Sequence, residues 1–111
     1  MVKIDIFQTT WRYGIRITGH AGYAAEGSDI VCAGVSVLLQ SLGNYIEAHK
    51  YELNCNILEM KFEKGDSNIQ FCDTSLKGSI NNMLKAVFDM TADGLEDLEN
   101  QYPEYIIVSR I

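Results

Sequence analysis

Cysteine is scarce in this chain and unpaired: Cys32, Cys55 and Cys72 form an odd set with no Cys-x-x-Cys pair and no Cys/His cluster. That argues against a disulfide framework or a structural zinc site, and three free thiols in a reducing cytosol are expected. Basic charge is also short. Nine Lys and Arg stand against fifteen Asp and Glu, a net charge of −6, which repels phosphate backbones and anionic membrane surfaces. Direct nucleic-acid binding is not expected, whereas a basic protein partner is permitted. Long hydrophobic runs are missing as well. The longest, Ile30 to Leu39, is interrupted by Gly34 and Ser36 and falls short of the roughly 20 residues that cross a bilayer. The opening "MVKIDIFQTTWRYGIRITG" has no apolar signal core, so neither export nor a membrane span is expected and the location is read as cytoplasmic. Phosphate loops, dinucleotide fingerprints and metal-ligand motifs are lacking too, so no cofactor and no metal are expected.

What is present is a chain of 111 residues with 47% hydrophobic content, enough for one domain over residues 1–111 and too little for two. Val2, Ile4 and Ile6 alternate with polar residues, and so do Tyr13, Ile15 and Ile17 after "QTT", which predicts a β-hairpin. Gly19 to Ser28 holds three glycines and three alanines and reads as a loop that lets another chain approach closely. From Asp29 to about Lys50 the pattern is helical, apolar almost all round through Leu42, with His49 and Lys50 suited to the C-terminus. A second hairpin follows: Leu58, Met60 and Phe62, a "KGD" turn, then Ile69 and Phe71. Leu76, Ile80, Met83, Leu84, Val87, Phe88, Thr91, Leu95 and Leu98 recur at helical spacing up to Pro103. "EYIIVSRI" closes the chain as a near-continuous apolar strand, fit for a sheet interior. The order ββαββαβ predicts an α+β two-layer sandwich: a mainly antiparallel five-stranded sheet with two helices on one face.

Chemistry concentrates in "GHAGYAAEGSDIVCAGVS". With Asp29 as N-cap, Ile30, Val31 and Cys32 form the first helical residues, and the Cys32 sulfur sits beside the positive end of the helix, a setting that favours an anion by at most about 2 kcal/mol. His20, at the end of the second strand, is the imidazole that could take the thiol proton if strand and helix termini converge. The residues alone leave two readings open for Cys32, nucleophile or apolar packing. On the residues alone Asp29 reads as a plain cap ahead of any catalytic role, and Ser36, one turn after Cys32 on the same face, as a hydroxyl bonded back to a helix carbonyl. Cys55 and Cys72, in predicted strands, read as structural thiols.

The combination G-H-A, then D-I-x-C-A-x-x-S, resembles the ribosomal-processing cysteine protease family (Prp, YsxB-like), across the whole chain in element order. The resemblance implies a cytosolic homodimeric endopeptidase that removes the N-terminal extension of large-subunit ribosomal protein twenty-seven, a basic partner. It implies His20 and Cys32 as the catalytic pair, Gly19, Asp29 and Ser36 as supporting positions, and a loop of Ala21, Gly22, Tyr23, Gly27 and Ser28 folding over the substrate. Free first-turn amides at Cys32 and its neighbours are expected to serve as oxyanion donors. The competing readings are a non-catalytic ribosome-assembly module that holds the same partner, and a thiol redox sensor.

Overall fold

The computed structural model describes residues 1–25, 29–75 and 81–111. The elements are β1 (Val2–Gln8), β2 (Arg12–Gly19), α1 (Ile30–His49), β3 (Cys55–Glu63), β4 (Asp66–Asp73), α2 (Asn82–Gln101) and β5 (Ile106–Arg110). This is the expected ββαββαβ order. The predicted helical positions Leu76 and Ile80 lie outside the described residues; α2 starts after Asn81, whose side chain caps it by accepting from the Leu84 amide at 3.1 Å.

The five strands form one sheet in the order β3-β4-β2-β1-β5. Every pairing is antiparallel except β1 with β5. Register follows from alternation: Ile4 lies opposite Ile17, Ile6 opposite Ile15, Ile15 opposite Ile69 and Tyr13 opposite Phe71. One face is thereby apolar over its centre, with Ser67, Asp73 and Arg110 at its ends, while the other carries polar pairs such as Arg12 with Gln70 and Asn68 with Glu59. Both helices cover the apolar face. Val31, Val35, Leu39 and Ile46 of α1 and Leu84, Phe88 and Leu95 of α2 are buried there, each large side chain contributing roughly 1.5–3 kcal/mol. Tyr13 ties the layers together, stacking on Phe71 at 5.3 Å and meeting Phe88 edge-on at 4.9 Å. The helices approach closely because Leu98 lies over Gly34 and Leu38 over Gly94.

Four expectations need correction. β5 is an edge strand, paired with β1 alone, and Ile107 is exposed; the apolar run reflects packing against α2, whose Glu99 accepts from the Val108 amide at 2.6 Å. The second hairpin does not alternate evenly. A β-bulge between Ile57 and Glu59 leaves Leu58 unpaired and 49% exposed. Helix α1 is apolar in composition but buried on one side, with Ile30, Val37 and Tyr45 exposed. Finally, α1 at 20 residues is long and apolar enough to cross a bilayer by length and composition, which the interrupted run Ile30 to Leu39 concealed. Here it packs one face against the sheet.

Candidate active site

Three chain segments meet at one end of the sheet: the exit of β2, the N-terminus of α1 and the β3–β4 turn. β2 ends at Gly19, where φ is +88° and an added Cβ would lie 2.5 Å from the Met1 carbonyl oxygen. Only glycine takes that turn without strain. Its amide donates to the Gly65 carbonyl at 2.9 Å, so the strand exit is bound to the turn and His20 is delivered beside it. The turn itself is Lys64 and Gly65, closed by the Glu63–Asp66 pair. Gly65 has φ +71°, and the imidazole sits directly over it: an added Cβ would be 2.7 Å from His20 Nε2.

Asp29 has extended backbone and caps α1, as expected. Its Oδ1 accepts from the Val31 and Cys32 amides, each at 3.0 Å, and its Oδ2 from the Tyr23 amide at 3.1 Å. Partial burial pushes the carboxyl up, but the bonds from Cys32, Tyr23 and Val31 outweigh it and hold the group below the ordinary carboxylate value. The side chain therefore does two jobs at once. It starts the helix that carries Cys32, and it ties down the segment between β2 and α1.

Cys32 is half-buried in the first turn, and the Ala21 amide donates to its Sγ at 3.3 Å. Ala21 is buried, Gly22 and Tyr23 are exposed, and the Tyr23 ring meets Tyr102 at 5.6 Å and Tyr105 at 5.2 Å. His20 and Cys32 line the same cleft, of about 660 Å³, together with Gly19, Gly22, Asp29 and Ser36. Among the described residues no hydrogen bond joins His20 to Cys32; the Ala21 amide on Cys32 Sγ and the Tyr23 amide on Asp29 link their segments. Such pairs often tighten only when substrate is bound. Gly27 and Ser28 lie outside the described residues.

Two expectations change. The first-turn amides are not free, since Val31 and Cys32 donate to the Asp29 side chain and Ala33 to its carbonyl at 3.0 Å. The amide that faces the sulfur belongs to Ala21. The Ser36 hydroxyl is exposed in the cleft and makes no bond back to the helix among the described residues. The reading from sequence also missed the opposite wall, Phe62 to Ser67. "KGD" signalled a turn, but nothing local tied that turn to His20.

The other thiols lie elsewhere. Cys55 is buried in β3, and desolvation, with Cys72 and Asp73 nearby, pushes its pKa up to about 11. No cluster able to hold a metal occurs among the described residues.

A thiol at a capped helix N-terminus, sharing a cleft with an imidazole delivered by the sheet, is the layout of a cysteine hydrolase. The family of cysteine protease Prp narrows that class: its model matches residues 1–107. The chain belongs to this family and is a cysteine protease. Among solved structures, it is similar to the S. aureus ribosomal processing protease Prp with a covalently linked product peptide, at TM-score 0.79 and 23% identity over 100% of both chains. The same S. aureus protein with a substrate peptide gives TM-score 0.71 and 22% identity, again over 100% of both chains. SMU.848 from Streptococcus mutans gives 0.66 and 24%, covering 100% of this chain and 94% of the other. These likenesses establish the fold. No curated protein matches the chain by sequence.

Proposed function

We propose that this protease is a cytoplasmic, homodimeric ribosomal-processing endopeptidase, one catalytic domain over residues 1–111, that removes the N-terminal extension of large-subunit ribosomal protein twenty-seven. The observation that supports it most is the meeting of Cys32 Sγ and the Ala21 amide at 3.3 Å in a cleft that His20 also lines. The S. aureus protein of the same fold is described as a ribosomal processing protease and holds a covalently linked product peptide.

In this reading Cys32 is the nucleophile and His20 the general base and acid. His20 takes the thiol proton as Sγ bonds to the scissile carbonyl carbon. It returns that proton to the leaving amine as the C–N bond breaks, which leaves a thioester. Water, deprotonated by His20, then attacks the thioester carbon and releases the Cys32 thiol. Ala21 supplies an amide beside the reacting atoms that passes from Sγ to the developing oxyanion as Sγ bonds to carbon, whereas the first-turn amides of Val31, Cys32 and Ala33 stay held by Asp29. Gly19 and Asp29 position the strand exit and helix start, Ser36 lines the groove, and Ala21, Gly22 and Tyr23 belong to the segment that covers the peptide.

Incubation with the precursor peptide tests this. Wild-type protein cuts it, whereas Cys32→Ala and His20→Ala each lose at least a hundredfold in kcat/KM. In parallel, iodoacetamide labels Cys32 far faster than Cys55 near neutral pH, with the excess reduced by His20→Ala. An uncut precursor, or one still cut by Cys32→Ala, would overturn the reading.

A further inference from the structure

The wall that α1 contributes to the cleft repeats one polar position every turn: Cys32, Ser36 and Gln40, four residues apart, all lining it. The intervening Val35 and Leu39 turn inward, buried at 4% and 2% exposure, so the cleft has an apolar floor beneath a polar stripe. Ser36 and Gln40 are exposed, and neither side chain has a hydrogen-bond partner among the described residues. Across the gap stands the β3–β4 turn, from Phe62 to Ser67.

The spacing of this stripe suits an extended peptide. An α-helix rises about 1.5 Å per residue, which puts Ser36 about 6 Å and Gln40 about 12 Å along the axis from Cys32. A strand rises roughly 3.3 Å per residue and presents the same side every second residue, a repeat of about 6.6 Å. One helical step of four therefore keeps pace with one peptide step of two. The stripe drifts about 40° around the helix at each step, since residues lie roughly 100° apart, so a bound peptide crosses α1 obliquely. Gln40, the longest side chain of the three, spans the extra distance. Its carboxamide carries both a donor and an acceptor, the complement of a peptide unit.

We infer that Gln40 is a substrate-positioning residue, hydrogen-bonded to the main chain of the extended peptide roughly four residues from the scissile bond. The inference rests on the reading of Cys32 as the nucleophile. Because it addresses main chain, it sets how long a peptide the enzyme uses well, and it leaves side-chain preference to the rest of the cleft.

Two peptides cut at the same bond test it, one with at least five residues on each side and one with two. Gln40→Ala lowers kcat/KM on the long peptide roughly threefold to tenfold, the loss of one hydrogen bond, chiefly through KM. The short peptide is cut at the wild-type rate, and iodoacetamide labels Cys32 as fast as before. Equal losses on both peptides would make Gln40 a structural residue, and no loss on either would leave it without a role; each overturns the inference. If wild-type protein cuts neither peptide, the protease reading of Cys32 fails first and takes this one with it.

Discussion

Asp29 holds three amides with two oxygens, and the sharing decides what each replacement does. Asparagine keeps one carbonyl oxygen for Val31 and Cys32 but turns an NH2 group toward the Tyr23 amide, donor against donor. Asp29→Asn therefore keeps α1 and releases the segment that carries Ala21: circular dichroism stays as in wild type, while hydrogen exchange at Tyr23 accelerates. Asp29→Ala loses the cap too, about 1 kcal/mol of stability. The carboxylate also sets an acid limit. Its folded pKa lies below the ordinary 3.8, so its stabilisation is complete above that value and disappears as pH falls through the lower folded one. Between neutrality and about pH 4, a Tm profile of wild type minus Asp29→Asn is flat, and the difference narrows only below it. A difference that vanishes near pH 6 would mean that the carboxylate is not held by these bonds.

The β3–β4 hairpin acts as a wall that seats the imidazole. Lys61 bonds Asp66 at 2.8 Å, Arg16 approaches Asp66 at 3.7 Å, and the Ser67 hydroxyl donates to the Glu63 carbonyl at 3.1 Å. These exposed pairs contribute little stability singly, but together they hold the turn in register. Gly65 is where the element meets the chemistry. Gly65→Ala places a methyl where His20 Nε2 now approaches, at a backbone angle that L-residues resist. We expect a stability loss of about 1 kcal/mol and a fall in kcat/KM of at least tenfold, because the ring must leave its seat. Cleavage assays alongside thermal melts check this; activity that falls only in step with the folded fraction would remove Gly65 from the site. The same reasoning explains why Gly65 could not be read from sequence, where it is simply the centre of "KGD", far along the chain from His20.

The molecule as a whole carries a net charge of −6, and α2 concentrates part of it. Arg110 offsets one of the two charges of Asp93 and Glu96, Lys85 pairs with Asp89, and Glu99, which bonds the β5 edge, adds a further negative charge. Such a field speeds encounter with a basic substrate without adding much affinity. For a lysine-rich precursor peptide, kcat/KM falls by up to about tenfold between low salt and roughly 0.15 M ionic strength, where the Debye length is near 8 Å. A neutral peptide cut at the same bond changes little. Parallel salt dependence for both would show that charge steers neither.

By itself the sequence determined the elements and the start of α1. Periodicity depends on which residues shun water, and an N-cap depends on a side chain reaching its own neighbours; both are local. The expectation of free first-turn amides failed at that same cap, because an Asp that starts a helix does so by accepting from them. Tertiary structure alone decided what comes from afar: the bulge at Leu58, the edge position of β5, the seat of His20 on Gly65 and the Ala21 amide on the Cys32 sulfur. Each is a contact between segments distant along the chain, set by how the sheet and the helix layer close on one another, and alternation along a single strand carries no record of its neighbours.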